Sequence, residues 1–274
     1  MGAALKSPLT QSHYKILREK LAALTGIDLG ESKHSLVESR LYKRLGALQY
    51  DDFSQYIDLL HQSPDEITHF INGLTTNKTD WFREPRHFTY LVNTILPELC
   101  AWPPSGEKTI YLWSAACSSG EEVYSLAMAL KEHLNPHYDY RILGTDISTE
   151  VLAKAKTATY SARTVNEQVP DRFRERYFVD DSSSVRVLPE LCRNVKLKQF
   201  NLIQDKLQSE IRFDVIFLRN VLIYFSRATI EQVVREVIQY LKPGGYLFIG
   251  HTESLHGLSL PLTLVSESVY QVKG

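Results

Sequence analysis

From residue 109 onward the chain alternates strand-like runs with helical periodicities, and that rhythm leaves few architectures open. Strands are predicted over 109–115, 140–145, 195–200, 213–218 and 246–249, and helices over 121–133, 149–158 and 229–241. The last helix has Ile230, Val233, Val234, Val237, Ile238 and Leu241 on one face and Ser226 as its N-cap, and "LKPGG" is expected to stop it. "TLVSESVYQVKG" then reads as two short strands around a polar turn. Alternation of this kind builds a mostly parallel sheet with helices on both faces, and ligands sit beyond the carboxyl ends of its strands.

The first 75 residues follow another rhythm. In "SLVESRLYKRLGAL" Leu36, Val37, Leu41, Leu45 and Leu48 recur at helical steps, and "DDFSQYIDLLHQSPDE" follows as a second helix with Pro64 suited to the first turn of a third. A small all-α domain over 1–75 is therefore expected, followed by an α/β domain over 76–274. "PDRFRERYFVDDSSSVRVLPELCRN" interrupts the later alternation and reads as an inserted β-hairpin subdomain at about 171–194.

Charge and cysteine content narrow the function classes. Lys plus Arg (31) nearly cancels Asp plus Glu (32), so no nucleic-acid partner is indicated. The distribution is uneven, with eight Lys/Arg against four Asp/Glu in residues 1–50 and five acids without a base in 51–75. Cys100, Cys117 and Cys192 stand far apart with no C-x-x-C pair, which argues against zinc or a disulfide framework; no metal is expected. "MGAALKSPLT" lacks an apolar signal core and has Lys6 where a myristoylation signal wants Ser or Thr. No apolar run reaches a membrane-spanning length of about 18 residues, so a soluble cytoplasmic protein is expected.

"YLWSAACSSGEEVYS" runs from a strand through a turn of small residues into a helix. Its single Gly120 and its acids Glu121 and Glu122 suit an ammonium group better than a phosphate. The serines ahead of them also match a capping box, Ser118 with Glu121 or Ser119 with Glu122. "RILGTDIS" places Asp146 at the end of the second strand, where an acid accepts hydrogen bonds from ribose hydroxyls or caps the next helix. A ribonucleoside with a cationic amino-acid tail and no phosphate meets these demands: S-adenosylmethionine.

"TTNKTDWFRE", "WSAACSSGEEVYSLA", "GTDIS", "FDVIFLRNVLIYF" and "LKPGGYLFIGHTES", in this order, give nearly the whole chain a resemblance to the chemoreceptor glutamate methyltransferases of bacterial chemotaxis. The resemblance implies a Rossmann-like class I S-adenosylmethionine methyltransferase sheet, with S-adenosylhomocysteine as product. It implies that Asn77, Thr79 and Arg83 reach the cofactor from the linker, Glu121 or Glu122 holds the methionyl end, and Asp146 the ribose. Asn201 and Leu202 would surround the adenine, Arg219 and Asn220 the middle of the pocket, and Tyr224 the departing methyl, with Arg83 and Tyr224 catalytic. His251 and Glu253 belong to the family's strings without an assigned role.

A glutamate acceptor is already an anion at neutral pH, its pKa being about 4.3, so no general base is required. None is offered between Arg219 and Phe225. Orientation can then supply roughly 7–11 kcal/mol of the barrier. The same resemblance makes Lys33, Arg40, Lys43 and Arg44 a docking face for the receptor's acidic helical region; without it they read as a solvated helix face. "VDDSSSVRV" is short and has no glycine, so binding of a receptor C-terminal pentapeptide tether is not expected, nor is an oligomer. A same-fold methyltransferase of RNA or small molecules, and a cofactor-binding signalling module without turnover, are the alternatives.

Overall fold

The computed structural model describes residues 7–101, 108–208 and 210–273; the expectation drawn at Lys6 lies outside them. Four helices form the N-terminal unit: α1 (Gln11–Thr25), α2 (His34–Leu48), α3 (Phe53–Gln62) and α4 (Pro64–Leu74). Thr10, Asp52 and Ser63 cap α1, α3 and α4 through their side-chain oxygens, and Pro64 occupies the first turn of α4. Gly26, at φ 75°, ends α1. Leu17, Leu21, Leu41, Leu45, Phe53, Tyr56 and Phe70 are fully enclosed and make this unit's own core.

After a linker, α5 (Pro85–Tyr90) runs through a π-helical turn into α6 (Leu96–Ala101). The α/β part comprises β1 (Thr109–Ala115), α7 (Glu121–His133), β2 (Asp139–Asp146), α8 (Thr149–Thr157), β3 (Thr159–Ser161), α9 (Ala162–Gln168), α10 (Asp171–Tyr177), β4 (Phe178–Asp181) and β5 (Ser184–Val187). It continues with α11 (Pro189–Cys192), β6 (Val195–Gln199), β7 (Phe213–Leu218), α12 (Arg227–Ile238), β8 (Leu241–Ile249), β9 (Leu262–Ser266) and β10 (Val269–Val272). Seven strands form one sheet in the order β6-β2-β1-β7-β8-β10-β9, parallel from β6 to β8, with β10 antiparallel to both β8 and β9. Two apolar cores cover its faces, so the predicted α/β class holds. Strand order reverses between β1 and β7, which opens a crevice beyond their carboxyl ends.

Two elements differ from the expected pattern. "LKPGG" does not stop the helix, because α12 ends at Ile238 and those residues already belong to β8. Register shifts between the pairs Phe213↔Leu241 and Val215↔Tyr246, and this bulge accommodates Pro243, which has no N–H, and Gly244 at φ 75°. The excursion after β2 is also more than a hairpin: β3, ahead of residue 171, pairs with β5, giving a three-stranded sheet β3-β5-β4.

The helical unit is fastened to the α/β part through hydrogen bonds of asparagine and glutamine side chains. Asn72 and Thr149 exchange two hydrogen bonds, Nδ2 to Oγ1 at 2.9 Å and N to Oδ1 at 3.0 Å. At the carboxyl end of α1 the orphan carbonyls of Leu24 and Ala23 accept from Asn201 Nδ2 at 2.7 Å and Gln204 Nε2 at 3.5 Å. A Cβ on Gly26 would stand 2.9 Å from Ile203 and 3.1 Å from Thr229, so the chain here passes too close for a side chain. No described helix is long and apolar enough to cross a membrane.

Candidate active site

A cavity lies between the helical unit and the carboxyl ends of β1, β2 and β7. Its lining includes Asn77, Thr79, Arg83, Glu122, Asp146, Asn201, Leu202, Arg219, Asn220 and Tyr224, so the structure brings together every proposed cofactor and catalytic residue except Glu121. Thr25, Ile27 and Leu29 close the other side, a wall with no local signal in the residues because it forms only when the two units meet. Ile27 pairs with Phe225 in an isolated bridge, and Asp28 N–H donates to the Tyr224 carbonyl at 2.9 Å.

The two glutamates are now separated. Glu121 is turned away: it accepts from Ser119 Oγ at 2.7 Å and lies 3.6 Å from Lys154. Gly120, not a serine, precedes α7 as its N-cap and has no side chain to offer, so neither capping box forms. Gly120 is needed for its φ of 98° and because a Cβ there would meet Tyr160 Oη at 2.7 Å. Glu122 faces the cavity, accepting from Ser114 Oγ at 2.6 Å and from Arg219 Nε at 2.8 Å.

Asp146 is buried at the end of β2 and does not cap the next helix; Ser148 occupies that position. Its two oxygens accept from Ser118 N–H and Ser148 N–H, each at 2.9 Å. Burial pushes its pKa up, and the backbone donors only partly oppose that.

Arg219 is a hub beneath the cavity, its side chain 1% exposed. Nη2 lies 2.7 Å from Glu122, and Nη1 reaches Glu84 at 3.1 Å, the Arg83 carbonyl at 2.8 Å and His87 Nδ1 at 3.2 Å. Phe88 and Phe217 lie within cation–π distance of its guanidinium. Burial, followed by Arg219, pulls the His87 pKa down to about 4, so this imidazole is neutral at neutral pH. Glu84 and His87 carry no functional signal in the sequence beyond the position of an acid next to Arg83.

Backbone strain concentrates here. Of nine described non-glycine residues with positive φ, Ala116, Ser118 and Asn220 line the cavity and Phe82 and Glu84 flank Arg83. Packing holds the linker in that shape: Trp81 meets Tyr160 and Phe178 edge-on, and Phe82 stacks on Phe173. The Arg83 side chain has, among the described residues, one hydrogen bond, of 3.3 Å to the Lys78 carbonyl, which leaves most of its donors to the cavity that Arg83 lines.

These features suit a zwitterionic nucleoside better than a nucleotide. Asp146 and Glu122 supply anionic acceptors, while the loop amide that a phosphate would need, Ser118 N–H, already donates to Asp146. Comparison with known proteins agrees. Residues 77–270 match the family model described as the CheR methyltransferase SAM binding domain, and residues 12–75 match the CheR methyltransferase all-alpha domain. The chain belongs to the CheR methyltransferase family. Chemotaxis protein methyltransferase 2 of Pseudomonas aeruginosa is 36% identical over 95% of this chain and 93% of its own length. The Escherichia coli chemotaxis protein methyltransferase is 36% identical over 96% and 91%, and that of Borreliella burgdorferi 39% identical over 85% and 84%. The resemblance read from sequence and S-adenosylmethionine as cofactor are both borne out.

In this CheR chain two of the four proposed docking cations serve another purpose. Arg44 holds the buried Glu66 through Nε at 2.9 Å and Nη2 at 2.5 Å, locking α2 to α4. Arg40 Nη1 donates to the carbonyls of Leu74 at 2.8 Å and Thr75 at 3.0 Å, closing the end of α4. Lys33 and Lys43 are exposed. Asn201 lines the cavity, but its side-chain amide is occupied by Leu24 and Ile203 N–H, so it positions the wall.

Proposed function

We propose that this methyltransferase esterifies glutamate side chains on the cytoplasmic helical region of chemoreceptors, acting as a monomer in the cytoplasm. What supports the reading is that Arg83 and Tyr224 line the cavity, and that the stretch from Arg219 to Phe225 offers no carboxylate or histidine to take a proton from an amine or alcohol. A carboxylate needs no deprotonation. When bound, S-adenosylmethionine supplies a methyl group on a cationic sulfur. Asp146 would hold its ribose hydroxyls and Glu122 its ammonium, Asn77 and Thr79 would flank it from the linker, and Leu202 would pack on the base. Arg83, with its free planar fork, would hold a carboxylate, and the Tyr224 hydroxyl would face the reacting groups. The helical unit, by closing the cavity, keeps water from charges that are neutralised as the reaction proceeds.

Docking of an acidic receptor helix falls to Lys33 and Lys43. The hairpin turn from Asp181 to Ser184 contains only Ser182 and Ser183 between the strands, which supports a pentapeptide-independent enzyme; calorimetric binding of a receptor C-terminal pentapeptide would contradict it. With labelled cofactor and receptor cytoplasmic fragments, label is expected to appear on the fragment as a base-labile ester. Lys33→Glu combined with Lys43→Glu is expected to raise KM for the fragment about tenfold, from lost steering and contact, with cofactor affinity unchanged. Base-stable label would reject the ester reading, and an unchanged KM would reject the docking face.

A further inference from the structure

We propose that Glu253 is a positioning residue for methyl transfer, holding the turn that carries Tyr224; this rests on the reading of Tyr224 as a residue of the transfer site. Glu253 lies beyond the end of β8, is 8% exposed, and forms no ion pair with any described cation. Its carboxylate is instead filled by backbone donors. Oε1 accepts from Leu222 N–H at 2.7 Å and Ile223 N–H at 3.3 Å, and Oε2 accepts from Asn220 N–H at 2.9 Å and Gly250 N–H at 2.6 Å.

Three of those donors belong to one turn. After β7 the chain enters a left-handed residue, Asn220 at φ 58°, and then a single 3-10 turn over Leu222–Tyr224. The first N–H groups of such a turn have no partner within it, and a buried anion is the strongest acceptor available for them. A hydrophobic residue at 253 would satisfy burial and leave these donors empty. At the far end the turn is pinned from the helical unit, where Asp28 N–H donates to the Tyr224 carbonyl at 2.9 Å. Tyr224 is thus fixed from both ends of its turn.

The contact also admits no slack. A Cβ on Gly250 would stand 2.4 Å from Asn220 Nδ2, 2.9 Å from Glu253 Oε2 and 3.0 Å from Asn220 N. Gly250 has an ordinary φ, so closeness of approach, not a left-handed backbone, makes glycine necessary. Burial pushes the Glu253 pKa up while its four donors pull the other way, as expected of a carboxylate enclosed for its acceptor geometry.

Glu253→Gln preserves volume and leaves one acceptor oxygen where there were two. In the ligand-free chain, amide hydrogen exchange at Leu222 and Ile223 is expected to quicken about tenfold or more, while β1 and β7 keep their protection. In methyl transfer to receptor fragments, Glu253→Gln is expected to lower kcat about 30-fold in the presence of Tyr224 and only a few-fold in a Tyr224→Phe background. Gly250→Ala, which leaves the carboxylate in place and crowds the same contact, is expected to show the same two effects, and it serves if the glutamine variant does not fold. Unchanged exchange at Leu222 and Ile223, or equal kcat losses in both backgrounds, would overturn the proposal. No transfer by the unsubstituted chain would defeat the functional reading itself, and an unchanged kcat for Tyr224→Phe would overturn the role given to both residues.

Discussion

Arg219→Met is expected to cost about 3–5 kcal/mol of stability, because it removes a buried cation and leaves two partly buried carboxylates without it. The guanidinium touches Glu122, Glu84, the Arg83 carbonyl and His87, and its side chain is 1% exposed. Glu122 would retain Ser114, and Glu84 would retain Asn220 Nδ2 at 3.1 Å, His251 N–H at 3.2 Å and the His87 ring at 3.3 Å, but among the described residues neither would keep a permanently charged partner. Methionine fills the space between Phe88 and Phe217 without replacing the charge. Thermal unfolding should fall by roughly 10 °C. Arg219→Lys restores the charge but not the planar fork and should recover only part of the loss. A fall below about 2 °C for the methionine variant would show that the two carboxylates do not depend on this cation.

Tyr224→Phe is expected to leave folding unchanged and lower kcat by about 10- to 100-fold, with cofactor affinity altered less than twofold. The backbone of Tyr224 does the structural work: its N–H donates to the Val221 carbonyl at 3.2 Å and its carbonyl accepts from Asp28. Tyr224 lines the cavity, and among the described residues its hydroxyl has no hydrogen-bond partner. Removing an oxygen that the fold does not use therefore reports on the transferred group alone. Single-turnover rates measured with saturating cofactor separate the outcomes. An unchanged rate would remove the hydroxyl from the mechanism.

The elements carrying the site were legible in the sequence because their signals are local. β1, α7 and β7 fall on the predicted ranges, and Ser226 caps α12 as expected, its oxygen accepting from Thr229 N–H at 3.2 Å. The place of Asp146 at the end of β2 and beside the cavity was readable because an acid at a strand end in this fold has few positions to occupy. What could not be read depends on contacts between distant segments. Arg40 and Arg44 look like a solvated cationic face in one dimension, yet their partners lie on and after α4, 22 to 36 residues away. The division of labour between Glu121 and Glu122 turns on one helical step, which sends one towards Lys154 and the other towards Arg219. Glu253 had no role in sequence because its partners are four backbone N–H groups, three of them about 30 residues earlier, and backbone donors leave no trace in residue identity. "LKPGG" misled because the same Pro-Gly-Gly that ends helices also marks a bulge in a strand.

Titration calorimetry with S-adenosylhomocysteine tests most directly the claim that the cavity between the two units is the cofactor site. One site per chain is expected for the unsubstituted protein. Asp146→Asn, which keeps the size of the side chain but removes the charge proposed to hold the ribose, should weaken binding by about tenfold or more. Undiminished affinity in a folded Asp146→Asn chain, or no binding heat in the unsubstituted one, would contradict the account.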